Sequence, residues 1–281
     1  MSDGVGLGAA GFGLAAALSW GTSDFSGGVA ARRVPIFAVM AGSYAIGLIL
    51  LIALALALGE TSPSLADLAW AAAAGVAGGA GLTAHYRGLA VGRMGVVAPV
   101  AAVVGALIPV LFSAVAEGLP GAAQRAGFAL ALIGVWLVSR RAGESDRPSG
   151  LGLALLAGLG FGSFFVLIAH VSQDAVLWPL VAARGTSLVA LLVVAHANDR
   201  AWRPPRRALG IVALAGILDV GGNTFFLLAA QAGRLDVASV LSSLYPAITV
   251  LLARGLLGEH IARWQGVGIV AAVIAVPLIA G

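Results

Sequence analysis

Residues 92–109 read GRMGVVAPVAAVVGALIP, and 141 positions further on residues 233–250 read GRLDVASVLSSLYPAITV. Each stretch opens with a Gly-Arg dipeptide and runs into a long apolar segment that contains proline. After Arg93 no charged residue appears until Glu117. About 20 apolar residues at 1.5 Å per residue cross the hydrocarbon core of a bilayer as a helix. A barrel strand would be about half that length and would alternate apolar with polar residues. These runs are continuous, so they predict transmembrane helices.

Runs of the same kind recur along the whole chain. They predict ten spans, at 5–29, 34–58, 68–90, 95–116, 122–139, 151–170, 176–197, 208–230, 237–257 and 264–280. The first starts after Met-Ser-Asp-Gly with no basic segment, so it is expected to be a span and not a cleaved leader. The composition agrees: of 281 residues 60% are hydrophobic and 10% charged, with mean hydropathy +1.02. A soluble domain carries roughly 25% charged residues.

The formal net charge is +4, and all sixteen basic residues are Arg. Most lie in short connections, which fits headgroup contacts and not a nucleic-acid surface. The chain has no Cys, which excludes disulfides and thiol chemistry. Without Lys there is no phosphate-binding Gly-x4-Gly-Lys loop, and no His-Glu-x-x-His pair occurs. No cofactor or metal is expected.

The 141-residue register extends well beyond the opening pair. Leu14 meets Leu155, Gly21 meets Gly162, Thr83 meets Thr224, Val96 meets Val237, Gln124 meets Gln265 and Gly127 meets Gly268. The charged, Pro-containing stretch 140–148 reads as a linker. The sequence therefore predicts an all-α integral membrane protein of ten transmembrane helices in two five-helix repeats, 1–141 and 150–281. Five is odd, so the second copy enters the membrane inverted, and inverted repeats commonly bind substrate near the midplane between them. Twelve Arg lie on the side of the odd-numbered connections, against Arg125 and Arg234 on the other. The positive-inside rule makes the Arg-rich side cytoplasmic, with both termini extracytoplasmic.

The residues resemble the drug/metabolite transporter superfamily, specifically its ten-helix members with two EamA domains. The first span carries Leu18-Ser-Trp20-Gly21-Thr-Ser, similar to that group's Trp-Gly. The ninth carries Val237-Ala-Ser-Val-Leu-Ser-Ser-Leu-Tyr-Pro246. Gly258-Glu259 followed by Gln265 and Gly268 resembles its Glu-x5-Gln-x2-Gly pattern, from which the first copy departs with Glu117-Gly118, Gln124 and Gly127. Arg184 matches a frequent Arg. The resemblance covers essentially the whole chain. It implies a secondary transporter that exports or exchanges small metabolites or drugs across a bacterial-type inner membrane by alternating access. A small-molecule substrate, the lipid bilayer and, as a candidate co-substrate, the proton are the partners expected.

Ionisable groups inside spans cost roughly 2.5–3.5 kcal/mol on insertion scales and are functional candidates. Asp219 falls near the middle of the eighth span and Arg184 within the seventh, at depths that differ by under about 10 Å on the helical rise. Either they pair, or Arg184 serves an anionic substrate group while Asp219 takes a cation or proton. A structural ion pair is the competing reading. Asp24 and His85 lie toward the cytoplasmic ends of their spans, and an unperturbed His titrates near neutrality. Trp20 lies deep in its span, whereas Trp70, Trp178, Trp202 and Trp264 sit near boundaries as anchors. Tyr44, Thr83, Tyr86, Asn223, Ser242 and Tyr245 complete the candidate cavity. Pro109, Pro246 and Pro277 are expected kinks.

Other classes stay open at this stage. An intramembrane enzyme or lipid-handling protein needs a convergent nucleophile and base, and the four His are scattered along the sequence. A non-transporting membrane subunit is the third reading.

Overall fold

The computed structural model describes residues 2–91, 94–139, 150–172, 174–258 and 260–280. Arg93, the linker at 140–148 and Glu259 lie outside the described residues. The regular structure of the rest is helical: α1 Ser2–Ala31, α2 Ile36–Ala57, α3 Leu65–Val91, α4 Met94–Ala116, α5 Ala122–Ser139, α6 Leu151–Ile168, α7 Leu177–Ala197, a 3-10 turn Arg206–Ala208, α8 Leu209–Ala232, α9 Leu235–Ser242, α10 Tyr245–Leu257 and α11 Arg263–Ala280.

Among the described residues, eight stretches are long and apolar enough to cross a membrane, with α9 and α10 together forming one of them. Val100–Ala116 within α4 is a shorter apolar helix. The chain is thus a multi-pass helical membrane protein. The first of the ten expected spans, α1, is not among those eight. Its outer face is still apolar. Leu18 is exposed, as are Ile49, Leu56, Val76, Val115, Val189 and Val193 on other helices, while Ser23 and Ser26 are buried. Exposed apolar rims around buried polar groups are what a lipid solvent selects.

The expected ninth span is two helices. The chain turns at Ser243–Leu244, and Pro246 enters the first turn of α10. Proline has no N–H to give Ser242, and its ring crowds that residue's carbonyl. Pro109 and Pro277 lie inside the continuous helices α4 and α11. Of the three prolines, only Pro246 breaks its span.

The halves interlock, and their contacts obey the sequence register. Exchanging the halves maps α1 onto α6, α2 onto α7, α3 onto α8, α4 onto α9–α10 and α5 onto α11. The main interfaces are α1 with α8, α3 with α6, α4 with α6, α1 with α10, α3 with α7, α2 with α8, α2 with α7 and α5 with α11. Each has its exchanged counterpart in the set or is its own. The Gln pair shows the symmetry atom by atom. Gln124 Nε2 donates to the Ile279 carbonyl at 3.3 Å, and Gln265 Nε2 donates to the Val138 carbonyl at 3.1 Å. The Gly121 N–H donates to Gln124 Oε1, and the Ala262 N–H to Gln265 Oε1. Each Gln therefore caps its own helix start and stitches it to the far end of its counterpart. Between them Gly134 and Gly268 face each other; a Cβ on either would stand 2.8 Å from the other's carbonyl oxygen. Only glycines allow that approach.

Candidate functional site

A cavity of about 240 Å³ lies between the halves. α1 contributes Trp20 and Asp24, α2 Tyr44, α3 Gly78 and His85, α4 Ala101, Ala102, Gly105 and Ala106, and α6 Phe161, Phe164 and Phe165. α7 adds Arg184 and Ser187, α8 Asp219 and Asn223, and the α9–α10 turn Ser243 and Tyr245. The broken ninth span thus delivers Tyr245 to the cavity at the break itself.

Trp20 is held by aromatic neighbours. Its ring centroid lies 5.9 Å from Phe165, 5.9 Å from Phe226 and 6.4 Å from Tyr245, the last edge-on. The indole lies across Gly222, and a Cβ there would collide with its Cδ1 and Nε1. α1 is fixed on α8 by two further bonds: Ser19 Oγ donates to the Leu218 carbonyl and Ser23 Oγ to that of Ala215. Trp20 and Asp24 are four residues apart, so they share one face of α1.

Arg184 and Asp219 form an ion pair. Arg184 is buried, and its guanidinium carbon stands 4.5 Å from the Tyr44 ring centroid, a cation–π contact. Asn223 Nδ2 donates to the Asp219 carbonyl at 2.7 Å and reaches its carboxylate at 3.4 Å. The one cation of this cavity's wall, among the described residues, is therefore committed to a protein carboxylate. Asp24 differs. It is exposed, its surface opens onto the cavity, and it has no hydrogen-bond or ion-pair partner among the described residues.

A second chamber of about 440 Å³ adjoins the first and shares Asp24, His85, Ala101, Ala102, Phe161 and Tyr245 with it. Its wall continues to Arg32, Ser139, Ala253, His260 and Gln265. These residues lie at the helix ends that meet the odd-numbered connections, and Arg32 and His260 are exposed there. The second chamber is a vestibule that opens on the odd side, with Asp24 at the junction.

The even side is sealed. Leu51, Leu180, Ala183, Val220, Phe226 and Leu235 belong to one buried cluster beneath the cavity. Beyond it, carboxylates latch the halves together. Ser64 and Asp67 form a capping box at the start of α3, with Asp67 N–H donating to Ser64 Oγ and Ser64 N–H to the Asp67 carboxylate. The same carboxylate accepts the N–H and hydroxyl of Ser172 in the other half. Glu60 accepts the N–H groups of Val176, Leu177 and Trp178, capping α7 across the interface. Arg234 binds the fully buried Asp236 at 2.8 Å and donates to the Gly118 carbonyl at 2.8 Å. The hydrogen bonds from Arg234 to Asp236 hold the guanidinium pKa above its ordinary value.

Of the sequence candidates, Trp20, Asp24, Tyr44, His85, Arg184, Asp219, Asn223 and Tyr245 come together on the cavity wall. Thr83 and Ser242 do not line either chamber. Thr83 donates to the Gly79 carbonyl one turn back. Ser242 is fully buried with its hydroxyl 3.4 Å from the Gly13 carbonyl, and Ser243 faces the cavity in its place. The Tyr86 side chain lies outside the described residues. Sequence reasoning passed over Glu60, in the connection between α2 and α3, and Asp67 and Asp236, in the first turns of α3 and α9. The Ser-x-x-Asp spacing at 64–67 was the legible signal for one of them.

Interlocked halves of apolar helices around a central chamber define the class of a multi-pass helical membrane protein. The chain belongs to the EamA-like transporter family, whose model matches residues 7–140 and again 148–281. No curated protein matches the chain. A crystal structure of another protein superimposes with a TM-score of 0.76 at 22% identity, covering 96% of each chain, and at that identity it speaks for the fold alone.

Proposed function

We propose that the protein is a secondary carrier that exports or exchanges small metabolites or drugs by alternating access. The observation that carries this reading is the asymmetry of the central chamber, open through a vestibule on one side and sealed and latched on the other. Family membership supports it. The exchange symmetry of the contacts supports two inverted five-helix repeats, 1–141 and 150–281, with α1 and α4 as spans and α9–α10 as the ninth, ten in all. In such an arrangement the same packing, adopted by the exchanged half, opens the opposite side. The Arg bias supports the odd side as cytoplasmic and the termini as extracytoplasmic, and the family resemblance points to a bacterial-type inner membrane as the location. Trp20, Asp24, Arg184, Asp219 and Tyr245 are the residues proposed to meet substrate or its coupling ion.

Reconstituted vesicles test the reading. Purified protein in proteoliposomes is screened against a labelled metabolite and drug panel. A carrier shows saturable uptake that is accelerated by unlabelled substrate on the far side. Substrate turnover without flux would identify a membrane-embedded enzyme instead.

A further inference from the structure

We infer that the central cavity takes a small organic monocation, an ammonium group on a flat or apolar body, and that Asp24 holds its charge. This rests on the carrier reading and narrows the substrate class.

The charge arrangement comes first. Arg184 is paired with Asp219 and stacked on Tyr44 before any ligand arrives. A carboxylate or phosphate ligand would have to displace Asp219, and an uncompensated carboxylate away from water is strongly unfavourable. Asp24, in contrast, has no ion-pair or hydrogen-bond partner among the described residues and is reached from both chambers. With Arg184 and Asp219 cancelling, Asp24 leaves the wall acidic when ionised. A cation at Asp24 neutralises it.

The walls beside Asp24 fit the rest of such a ligand. Trp20 stands one turn earlier on the same helix face, and Tyr245, which lines both chambers as Asp24 does, meets Trp20 edge-on. Aromatic faces attract ammonium and guanidinium groups and bury apolar bodies. Tyr44 already does this for Arg184 on the same wall. Phe161, Phe164 and Phe165 of α6 line the same cavity and add apolar surface for a ring. The cavity, about 240 Å³, is smaller than the roughly 300–1,000 Å³ typical of drug-sized sites. One ring or a short alkyl chain fills it.

The test uses the full chain in nanodiscs and three probes of similar shape: 2-phenylethylamine, neutral 3-phenylpropan-1-ol and anionic 3-phenylpropionate. Isothermal titration at neutral pH is expected to show saturable one-site binding of the amine alone. Asp24→Asn should weaken it about 10- to 100-fold, as loss of a charged hydrogen-bond partner does. Asp24→Glu, which keeps the charge, should retain binding and so excludes a folding defect as the cause. Binding of the propionate as tight as the amine, an unchanged amine affinity in Asp24→Asn, or no amine binding by the parent protein each overturns the inference. The carrier reading fails separately: amine binding without flux in vesicles sinks the carrier and leaves this site standing. Counterflow of uncharged or anionic solutes with no amine binding does the reverse.

Discussion

Removing Arg184 should reveal what its ion pair contributes. Arg184→Met deletes the charge and keeps much of the apolar stem. Asp219 then faces the interior without its cation, and the Tyr44 ring loses its stacked guanidinium. Removing one partner of a buried pair costs about 3–5 kcal/mol. Asp219 keeps 27% of its side-chain surface accessible, toward the cavity, against 8% for Arg184. Cavity water therefore screens part of the loss, which places the expected cost near the lower end, about 3 kcal/mol. The cation–π contact is part of that figure, at about 0.5–2 kcal/mol. For a domain of this size each kcal/mol moves Tm by about 2–4 °C, so a fall of about 6–12 °C is expected. Asp219→Asn should cost less, because Asn still accepts from Arg184. The double variant should recover much of the loss, with a coupling of about 1–3 kcal/mol. Thermal unfolding of detergent-purified protein followed by circular dichroism reads all four corners of the cycle. Additive single effects, with no coupling, would refute the reasoning that the pair acts as a unit.

The remaining predictions concern packing and the latches. Gly222→Ala drives a methyl into the Trp20 indole, and such overpacking should cost about 1–3 kcal/mol with a shifted tryptophan emission. Gln124→Ala and Gln265→Ala remove matched pairs of hydrogen bonds, so each should lower stability by a similar amount, about 1–2 kcal/mol; a large effect in one and none in the other would contradict the symmetry. Glu60→Ala leaves three N–H groups at the start of α7 uncapped, at about 1–2 kcal/mol. The same variant loosens the even-side seal, and hydrogen exchange at 174–180 should rise.

The apolar runs were legible because lipid demands continuous helices that satisfy their own backbone. The duplication was legible because Gln124, Gln265 and their glycines do the same work twice, at an interface that maps onto itself. The depths of Arg184 and Asp219 allow either a pair or separate roles, and the structure has the pair. Helix rotation was harder to read. A span that is apolar all round has no amphipathic stripe to say which face turns inward. Thr83 and Ser242 were placed in the cavity on depth alone, yet both hydroxyls are spent on nearby carbonyls. The break in the ninth span was only half visible. Pro246 marks it, but Pro109 and Pro277 look the same in sequence and sit in unbroken helices. The difference lies in tertiary packing: Tyr245 meets Trp20, and Thr249 donates to the Gly21 carbonyl, so α10 is held on α1 across the break. Glu60 and Asp67 cap helices in ways that connect distant connections, and no local pattern announces the Ser172 and Leu177 partners.

Accessibility of the chamber from each side tests the account most directly. The chain has no Cys, so a single Ala102→Cys, which lines both chambers, is a clean reporter. Oriented vesicles are treated with a membrane-impermeant maleimide from one side at a time, with and without a transported solute. An alternating carrier predicts labelling from the odd side in the state described, labelling from the even side as well once turnover is driven, and protection by solute. Labelling from one side alone under every condition, unaffected by a solute that crosses the membrane, would contradict the account.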